Sequence, residues 1–409
     1  MKIGLIGFGT VGKGVADRIE ATREQLQAKF GQEITIEGIL IKNRNQYVEN
    51  EHATVITNDW TEFCQKCDYD IIFEAIGGLE PAFSYTEYFL EKGTPVITAN
   101  KQLVAEYGEL LEDIATRNQT YYGYEAAVAG GIPIINVIKG LLTTTLVTKV
   151  SGILNGTTNY ILTEMKEKGL SFAEALKAAQ ELGYAESDPT DDIEGYDASY
   201  KIRILAKCCF GFWINRENVT RRGMDEMKDW QIELAERLGL TLKIVGEATL
   251  FSGEIKAEVA PVFFTEEEAF SKISGVTNAV KVQGPTIGEL TFTGPGAGKE
   301  ATANSMIEDF LFHTDFRGHR SGWNGSPVLE VREDSTSLVF NSNPTDLQIE
   351  ELLHPEAKII YREKSPDGET VIVTGQPEFK HESVQVIKIE GSLDNIHMNR
   401  SLELSRLTS

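Results

Sequence analysis

The sequence predicts an α/β protein that opens with a doubly wound parallel sheet, continues into an α+β region and ends in a β-rich C-terminal region. Three observations carry this reading. An apolar run, KIGLI, leads into a glycine-rich turn and then a helical stripe. Further apolar runs recur with helical stretches between them. Beyond about residue 320 the apolar runs shorten, and only TDLQIEELL reads as clearly helical.

The opening stretch KIGLIGFGTVGKGVADRIEATREQL gives a short strand, then Gly7, Gly9 and Gly12 in GxGxxG spacing, then a helix with Val11, Val15 and Ile19 on one stripe. Gly7 permits a tight turn, Gly9 lets backbone approach a pyrophosphate, and Gly12 lets helix and strand close up. The helix N-terminus supplies amide donors. A bare GxGxxG is a weak signal, but ITIEGILI, ATVIT, YDIIFEAIGG and TPVITAN follow, with helical segments such as AFSYTEYFLEKG between them. This is the pattern of a Rossmann-type sheet that binds a dinucleotide. Where the second strand ends, GILIKNRN carries Lys42 and Arg44. A cation there welcomes a 2′-phosphate, which favours NADP over NAD; ordinary solvated edge charges are the competing reading.

From about Tyr121 the alternation changes. TYYGYEAAVAGGIPIINVIKG is small, apolar and glycine-rich, LVTKVSGILNGTTNYIL reads as strand-like, and SFAEALKAAQELG reads as helical. The Gly-Pro-Gly-Ala-Gly turn in TFTGPGAGKEATANSMIEDFLF precedes a helix. The expected organisation is a dinucleotide-binding domain over residues 1–130, completed by about 296–320, a second domain over 131–295, and the β-rich region over 321–409. That last region holds the runs SPVLEV, TSLVF, AKIIYREK, ETVIV and SVQVIKIEG, with SPDG as a hairpin signal between the third and fourth.

Composition excludes several classes. The chain of 409 residues is 41% hydrophobic, enough for two or three domains. Its formal charge of -23 repels nucleic acid and anionic membrane surfaces, so neither is expected as a partner. The most apolar stretch after the N-terminal strand, AAVAGGIPIINVIKGLL, is broken by Pro133, Asn136 and Lys139 within less than the ~20 residues that cross a bilayer. MKIGLIGFG lacks the basic start and cleavage site of a secretion signal, so the expected location is cytoplasmic. The lone CxxC of Cys64 and Cys67, and the adjacent Cys208 and Cys209, read as buried thiols rather than a zinc or redox centre. The histidines form no HExxH, and nothing points to nucleophilic hydrolysis.

One stretch stands apart: LGYAESDPTDDIEGYDASYK crowds Glu186, Asp188, Asp191, Asp192, Glu194 and Asp197 ahead of Lys201. If the chain after Gly195 is helical, Asp197 and Lys201 share a face. A solvated loop with Asp188 turning the chain is the bland reading. Beside a coenzyme domain, a chemical reading gains weight. Hydride transfer to a carbonyl makes an alkoxide, and an adjacent ammonium both stabilises that oxygen and completes the reduction. Lys201 suits that role, and Glu186, Asp192 and Asp197 suit a substrate that carries an ammonium of its own.

The stretch ALKAAQELGYAESDPTDDIEGYDASYK resembles the signature of homoserine dehydrogenases, with Ala179, Gly183, Asp188, Pro189, Asp192, Gly195, Asp197 and Lys201 at its fixed spacings. GFGTVGKGV, EAIGG, TANK, YEAAVAGGIP, GILNGTTNYIL and GAGKEATA add to the resemblance, which covers roughly residues 1–315. It implies reversible, NAD(P)-dependent interconversion of L-homoserine and L-aspartate 4-semialdehyde, in the pathway to threonine and methionine. It makes Lys201 the proton donor and acceptor and Lys101 a second catalytic lysine, a residue that by itself reads as a surface lysine opening a helix. Two ammoniums facing one pocket are expected to depress each other's pKa, with desolvation pushing the same way. Substrate contacts fall on Glu186, Asp192, Asp197, Tyr184 and Thr157, and cofactor contacts on Gly7, Gly9, Thr10, Val11, Gly12, Lys42, Arg44, Ile76, Gly77 and Lys101. A monovalent cation, Na⁺ or K⁺, is implied at Glu125, Val128, Gly130 and Ile132, and a homodimer through the second domain. The C-terminal region lacks the glycine loop and second helix of an ACT-type module, so none is expected. Two alternatives stand beside this: another amino-acid semialdehyde dehydrogenase, opposed by the full DPxxDxxGxDxxxK string, and a non-enzymatic NADP-responsive regulator, opposed by the retention of Lys101 and Lys201.

Overall fold

The structure, a computed structural model, describes residues 1–43, 55–315, 335–344, 349–354, 357–365, 368–375 and 383–392. Its first part alternates strand and helix: β1 (Lys2–Ile6), α1 (Thr10–Ala21), α2 (Arg23–Phe30), β2 (Thr35–Leu40), β3 (Val55–Thr57), α3 (Trp60–Lys66), β4 (Ile71–Glu74), α4 (Ala82–Glu91), β5 (Val96–Thr98), α5 (Lys101–Arg117) and β6 (Tyr122–Gly123). The six strands are parallel in the order β3-β2-β1-β4-β5-β6. The order reverses between β1 and β4, and in such sheets the crevice at the carboxyl ends of those strands receives the ligand. The pleat sends alternate side chains to opposite faces. Ile3, Leu5, Ile71 and Phe73 pack with Val15 and Ile19 of α1, whereas Ile6 and Ile72 belong to the core that holds Phe89, Leu103 and Val104.

The chain then forms α6 (Ile134–Leu141), β7 (Lys149–Ile153), α7 (Gly156–Lys168), α8 (Phe172–Glu181), α9 (Thr190–Ile193), α10 (Tyr196–Phe210), β8 (Val219–Arg221), α11 (Asp229–Arg237), β9 (Thr241–Phe251), β10 (Glu254–Phe264), β11 (Thr277–Gly284), β12 (Gly288–Pro295) and α12 (Lys299–Asp315). Strands β12-β11-β7-β9-β10 make an antiparallel sheet. Residues 146–162, read from sequence as strand-like, divide instead: the strand stops at Ile153 and a helix starts at Gly156. The cause is local, since Asn155 Oδ1 accepts from Thr158 N at 2.8 Å and so caps α7, overriding the β preference of the adjacent threonines. Helix α12 returns to the first sheet, where Ala303, Met306, Ile307 and Phe310 join Val15 and Ile19 in one core.

Four more strands follow: β13 (Thr336–Asn341), β14 (Lys358–Ser365), β15 (Gly368–Thr374) and β16 (Val384–Glu390). β14 and β15 form the hairpin signalled by SPDG, and β16 runs parallel to β10, so these strands extend the second sheet. Their order, β16-β13-β15-β14, with every pair antiparallel, is that of a β-α-β-β-α-β unit. This strand order alone does not supply the glycine loop and second helix of an ACT-type module, whose absence the sequence predicts. The order is set by long-range packing: Leu338, Phe340, Ile372 and Ile387 turn to the main core while Val339, Val371 and Val373 form a second one, which short apolar runs do not reveal. Within TDLQIEELL a 3-10 turn spans Ile349–Leu352, while residues 345–348 and the SPVLEV run lie outside the described residues. Among the described residues no helix is long and apolar enough to cross a membrane.

Candidate active site

Helices α5, α7 and α10 bring one carboxylate between two ammoniums. Gly195, in the left-handed region at φ 80°, turns the chain directly from α9 into α10. One turn along α10, Lys201 Nζ donates to Asp197 Oδ2 at 2.7 Å and to the Leu154 carbonyl at 2.7 Å. Lys101, the first residue of α5, approaches the other oxygen of Asp197 at 2.5 Å. Asn155 Nδ2 donates to Asp192 Oδ1 at 2.6 Å and to Asp197 Oδ2 at 3.0 Å, so the side chain that caps α7 also aligns both acids.

Burial alone would raise the Asp197 carboxyl, but Lys201 and then Lys101 hold it well below the usual carboxylate range. Burial lowers the Lys201 ammonium; Asp197 opposes that shift and Lys101 adds to it, and the net direction is down. Lys101 goes the other way. The charge of Asp197 outweighs its burial and raises it, so the expectation of two mutually depressed lysines holds for Lys201 only. Burial also raises Asp192, against the Asn155 hydrogen bond.

The remaining substrate-site residues of the sequence reading sit beside this cluster rather than in it. Thr157 Oγ1 donates to the Tyr184 carbonyl at 2.8 Å, tying α7 to the loop that carries Tyr184 and Glu186, both exposed. Asp188 accepts from Thr190 N and Oγ1 and turns that loop, as the bland reading of this acid had it.

Two supports escaped the sequence reading. Glu74, fully buried at the end of β4, accepts from Ile76 N at 2.8 Å and from Thr98 Oγ1, which in turn accepts from Asn100 N at 2.9 Å. Asn100 caps α5 through Leu103 N at 3.0 Å and donates to the Gly78 carbonyl at 2.6 Å. One network therefore joins the 74–78 loop to the helix that begins at Lys101. Arg203 of α10 reaches α5 as well, donating to Glu106 at 2.6 Å and to the Ala105 carbonyl at 2.7 Å.

The glycine loop has the shape of a phosphate cradle. A Cβ on Gly12 would meet the Gly7 carbonyl at 2.1 Å and one on Gly7 would meet the Ala75 carbonyl at 2.7 Å, whereas one on Gly9 would meet nothing within 4 Å. The turn is packed on the protein side and open at Gly9, where α1 begins with Thr10 and Val11. Gly77 faces equally open space. Gly7 N donates to the Leu40 carbonyl at 2.8 Å, which sets the end of β2 beside this loop with exposed Lys42 two residues on. Arg44 lies outside the described residues.

Glu125 is buried, its two oxygens accepting from Ile135 N at 2.9 Å and Asn136 N at 2.5 Å at the start of α6. Burial, and then the charge of Asp309, push its carboxyl up to about 8. The Gly130 and Ile132 carbonyls accept from Ser305 Oγ at 2.6 Å and Ile134 N at 2.8 Å, each keeping a second lone pair. The cysteines are partly exposed rather than buried; burial nonetheless raises the thiols of Cys64 and Cys67, and pushes Cys208 up to about 11. Among the described residues no three His, Cys, Asp or Glu side chains are grouped to hold a metal.

A doubly wound sheet with an open glycine cradle, and a Lys-Asp-Lys cluster shared between its helix α5 and helix α10 of a second sheet domain, define a nicotinamide-dependent oxidoreductase. The model of the homoserine dehydrogenase NAD-binding domain matches residues 7–125, and that of homoserine dehydrogenase matches 133–311. The chain is 36% identical to homoserine dehydrogenase of Lactococcus lactis over 76% of its own length and 73% of that protein. It is 35% identical to that of Bacillus subtilis over 88% and 82%. The crystal structure of a homoserine dehydrogenase from Thiobacillus denitrificans superposes with a TM-score of 0.85 at 30% identity, covering 95% of this chain and 98% of that one. A hyperthermophilic archaeal homoserine dehydrogenase in complex with NADPH gives 0.67 at 25% identity over 78% of this chain and 99% of its own. The chain belongs to the homoserine dehydrogenase family.

Proposed function

We propose that the protein catalyses the reversible oxidation of L-homoserine to L-aspartate 4-semialdehyde with NADP(H) preferred over NAD(H), in the cytoplasm, on the route to threonine and methionine. The observation that carries this reading is Asp197 between Lys101 and Lys201, at 2.5 and 2.7 Å. A nicotinamide cofactor held by the glycine loop would supply hydride transfer; the chain's own residues handle charge and protons. In oxidation, neutral Lys201 takes the proton of the substrate hydroxyl, and in reduction its ammonium returns that proton to the developing alkoxide. Burial lowers its pKa, the direction that brings the neutral form within easier reach. Lys101, kept charged by Asp197, stabilises the same oxygen. Asp192, with Glu186, Tyr184 and Thr157 nearby, holds the substrate ammonium.

Gly7, Gly9, Thr10, Val11 and Gly12 would hold the pyrophosphate, Ile76, Gly77 and Lys101 the nicotinamide end, and Lys42 with Arg44 the 2′-phosphate. Initial rates of nicotinamide absorbance with L-homoserine, in separate runs with NADP⁺ and NAD⁺, test this. No turnover with either, on folded protein that binds NADPH, rejects it.

The boundaries proposed for the cofactor domain are 1–130 with 296–320, for the substrate and dimerisation domain 131–295, and for the C-terminal region 321–409; limited proteolysis cutting inside rather than between them would reject the division. Homodimerisation through the second domain is inferred from the family resemblance, and a monomeric mass in sedimentation would exclude it. The hard oxygen donors of Glu125, Val128, Gly130 and Ile132 fit a monovalent cation, Na⁺ or K⁺. Replacing these ions by tetramethylammonium should lower the Tm of the native chain and leave that of Glu125→Gln unchanged; an equal effect on both removes the site.

A further inference from the structure

A cavity of about 190 Å³ opens between α7, α11 and β9, and three lysines line it: Lys166, Lys243 and Lys272. The chain holds 62 acidic residues against 39 basic ones, yet among the described residues none of these three lysines makes an ion pair. Lys243 is the built part of the site. It is 3% exposed, and its Nζ donates to Asn159 Oδ1 at 2.8 Å and to the Ile273 carbonyl at 2.5 Å. An ammonium has three donors, so one proton of Lys243 remains beyond these two acceptors. Lys166 Nζ donates to Thr241 Oγ1 at 2.7 Å, which leaves that hydroxyl's own hydrogen to donate onward.

Glu167 and Glu236 also border the cavity, so three lysines against two glutamates leave it one positive charge. Burial, and then the charge of Lys166, push Lys243 down to about 8, the direction an arriving anion would reverse. We propose that this cavity is a binding site for a small oxyanion, a carboxylate or phosphate group, held by Lys243 with Lys166 and Lys272. The site is separate from the Lys101-Asp197-Lys201 cluster but shares α7 with it: Lys243 bonds Asn159, one turn beyond the Asn155 that aligns Asp192 and Asp197.

The test is calorimetric titration of the full-length chain with inorganic phosphate and, separately, with acetate, at constant ionic strength and with NADP⁺ present to fill the glycine loop. The expected result is saturable binding of at least one, with Kd at or below about 1 mM. Phosphate alone would assign a phosphate-bearing ligand, and acetate alone a carboxylate. Removal of a charge-assisted donor should weaken binding about tenfold or more in Lys243→Met. Because a buried lysine also supports the fold, the exposed pair Lys166→Gln with Lys272→Gln is the second variant, with the same loss expected in protein of native Tm. No saturable binding of either anion, or binding unchanged in the double variant, would make Lys243 a self-satisfied core cation and overturn the proposal.

Discussion

Arg203 of α10 donates to Glu106 of α5 at 2.6 Å and to the adjacent Ala105 carbonyl at 2.7 Å, so one guanidinium fastens the helix of Lys201 to the helix of Lys101. A third bond, from Nε to the Ile214 carbonyl at 2.9 Å, uses the remaining edge of the fork. The spacing of the two lysines across Asp197 is therefore a property of the α5-α10 contact and not of either helix alone.

Arg203→Lys keeps the charge and loses the planar fork, leaving buried carbonyls without donors. Stability should fall by about 1–3 kcal/mol in urea unfolding. The kcat for homoserine oxidation should fall as well, while the Kd for NADPH, which the glycine loop rather than Arg203 would hold, stays near its original value. A stability loss with unchanged kcat would separate the clamp from the catalytic geometry.

Asp197→Asn tests the electrostatics. With Lys201 as the proposed base, oxidation requires it unprotonated, so the rate should rise with pH as that ammonium titrates, on a limb below the usual lysine value of about 10.4. The Asp197 charge raises both lysines. Its removal should move the rising limb to lower pH, together with a lower kcat; a limb that stays put or moves up contradicts the assignment. Stability follows the opposite sign of titration. The folded-state pKa of Asp197 is depressed, so its contribution is complete above the unfolded value of about 3.9 and is lost as pH falls through the folded value. The native chain should lose stability below about pH 4 faster than the Asn variant, by urea midpoints across that range.

Glu74→Gln tests the network behind the cofactor loop. An amide keeps its one acceptor oxygen for Ile76 N and turns an N–H group toward Thr98 Oγ1, whose own hydroxyl hydrogen then loses its acceptor. Stability should drop by about 1–3 kcal/mol. The 74–78 loop should loosen, raising the NADPH Kd by about fivefold or more, the equivalent of about 1 kcal/mol. Fluorescence titration with NADPH reads this, and an unchanged Kd would show that the network serves the fold alone.

Much of the site was legible because its parts are local. The GxGxxG turn follows its strand and precedes its helix within one unit, and Asp197 and Lys201 lie one helical turn apart, so spacing alone brings them together. Lys101 reached the account only through family resemblance, since its partner lies on another helix about a hundred residues away. Asn155 was hidden for a different reason: GILNGTTNYIL has the β-branched content of a strand, and only the capping bond reveals an asparagine placed to serve two carboxylates. Glu74, Asn100 and Arg203 act through buried bonds that no periodicity signals. The strand order of the C-terminal region was illegible because short apolar runs specify faces but not neighbours.

The most direct test of the central claim is single-turnover oxidation of L-homoserine by Lys201→Met, beside NADPH binding by the same protein. With Lys101, Asp197 and the glycine loop intact, the chemical step should slow by about 10²-fold or more, with NADPH affinity close to that of the native chain and a lower Tm, since Asp197 and the Leu154 carbonyl lose a buried donor. A rate within a few-fold of native would contradict the role of Lys201 as the proton donor and acceptor.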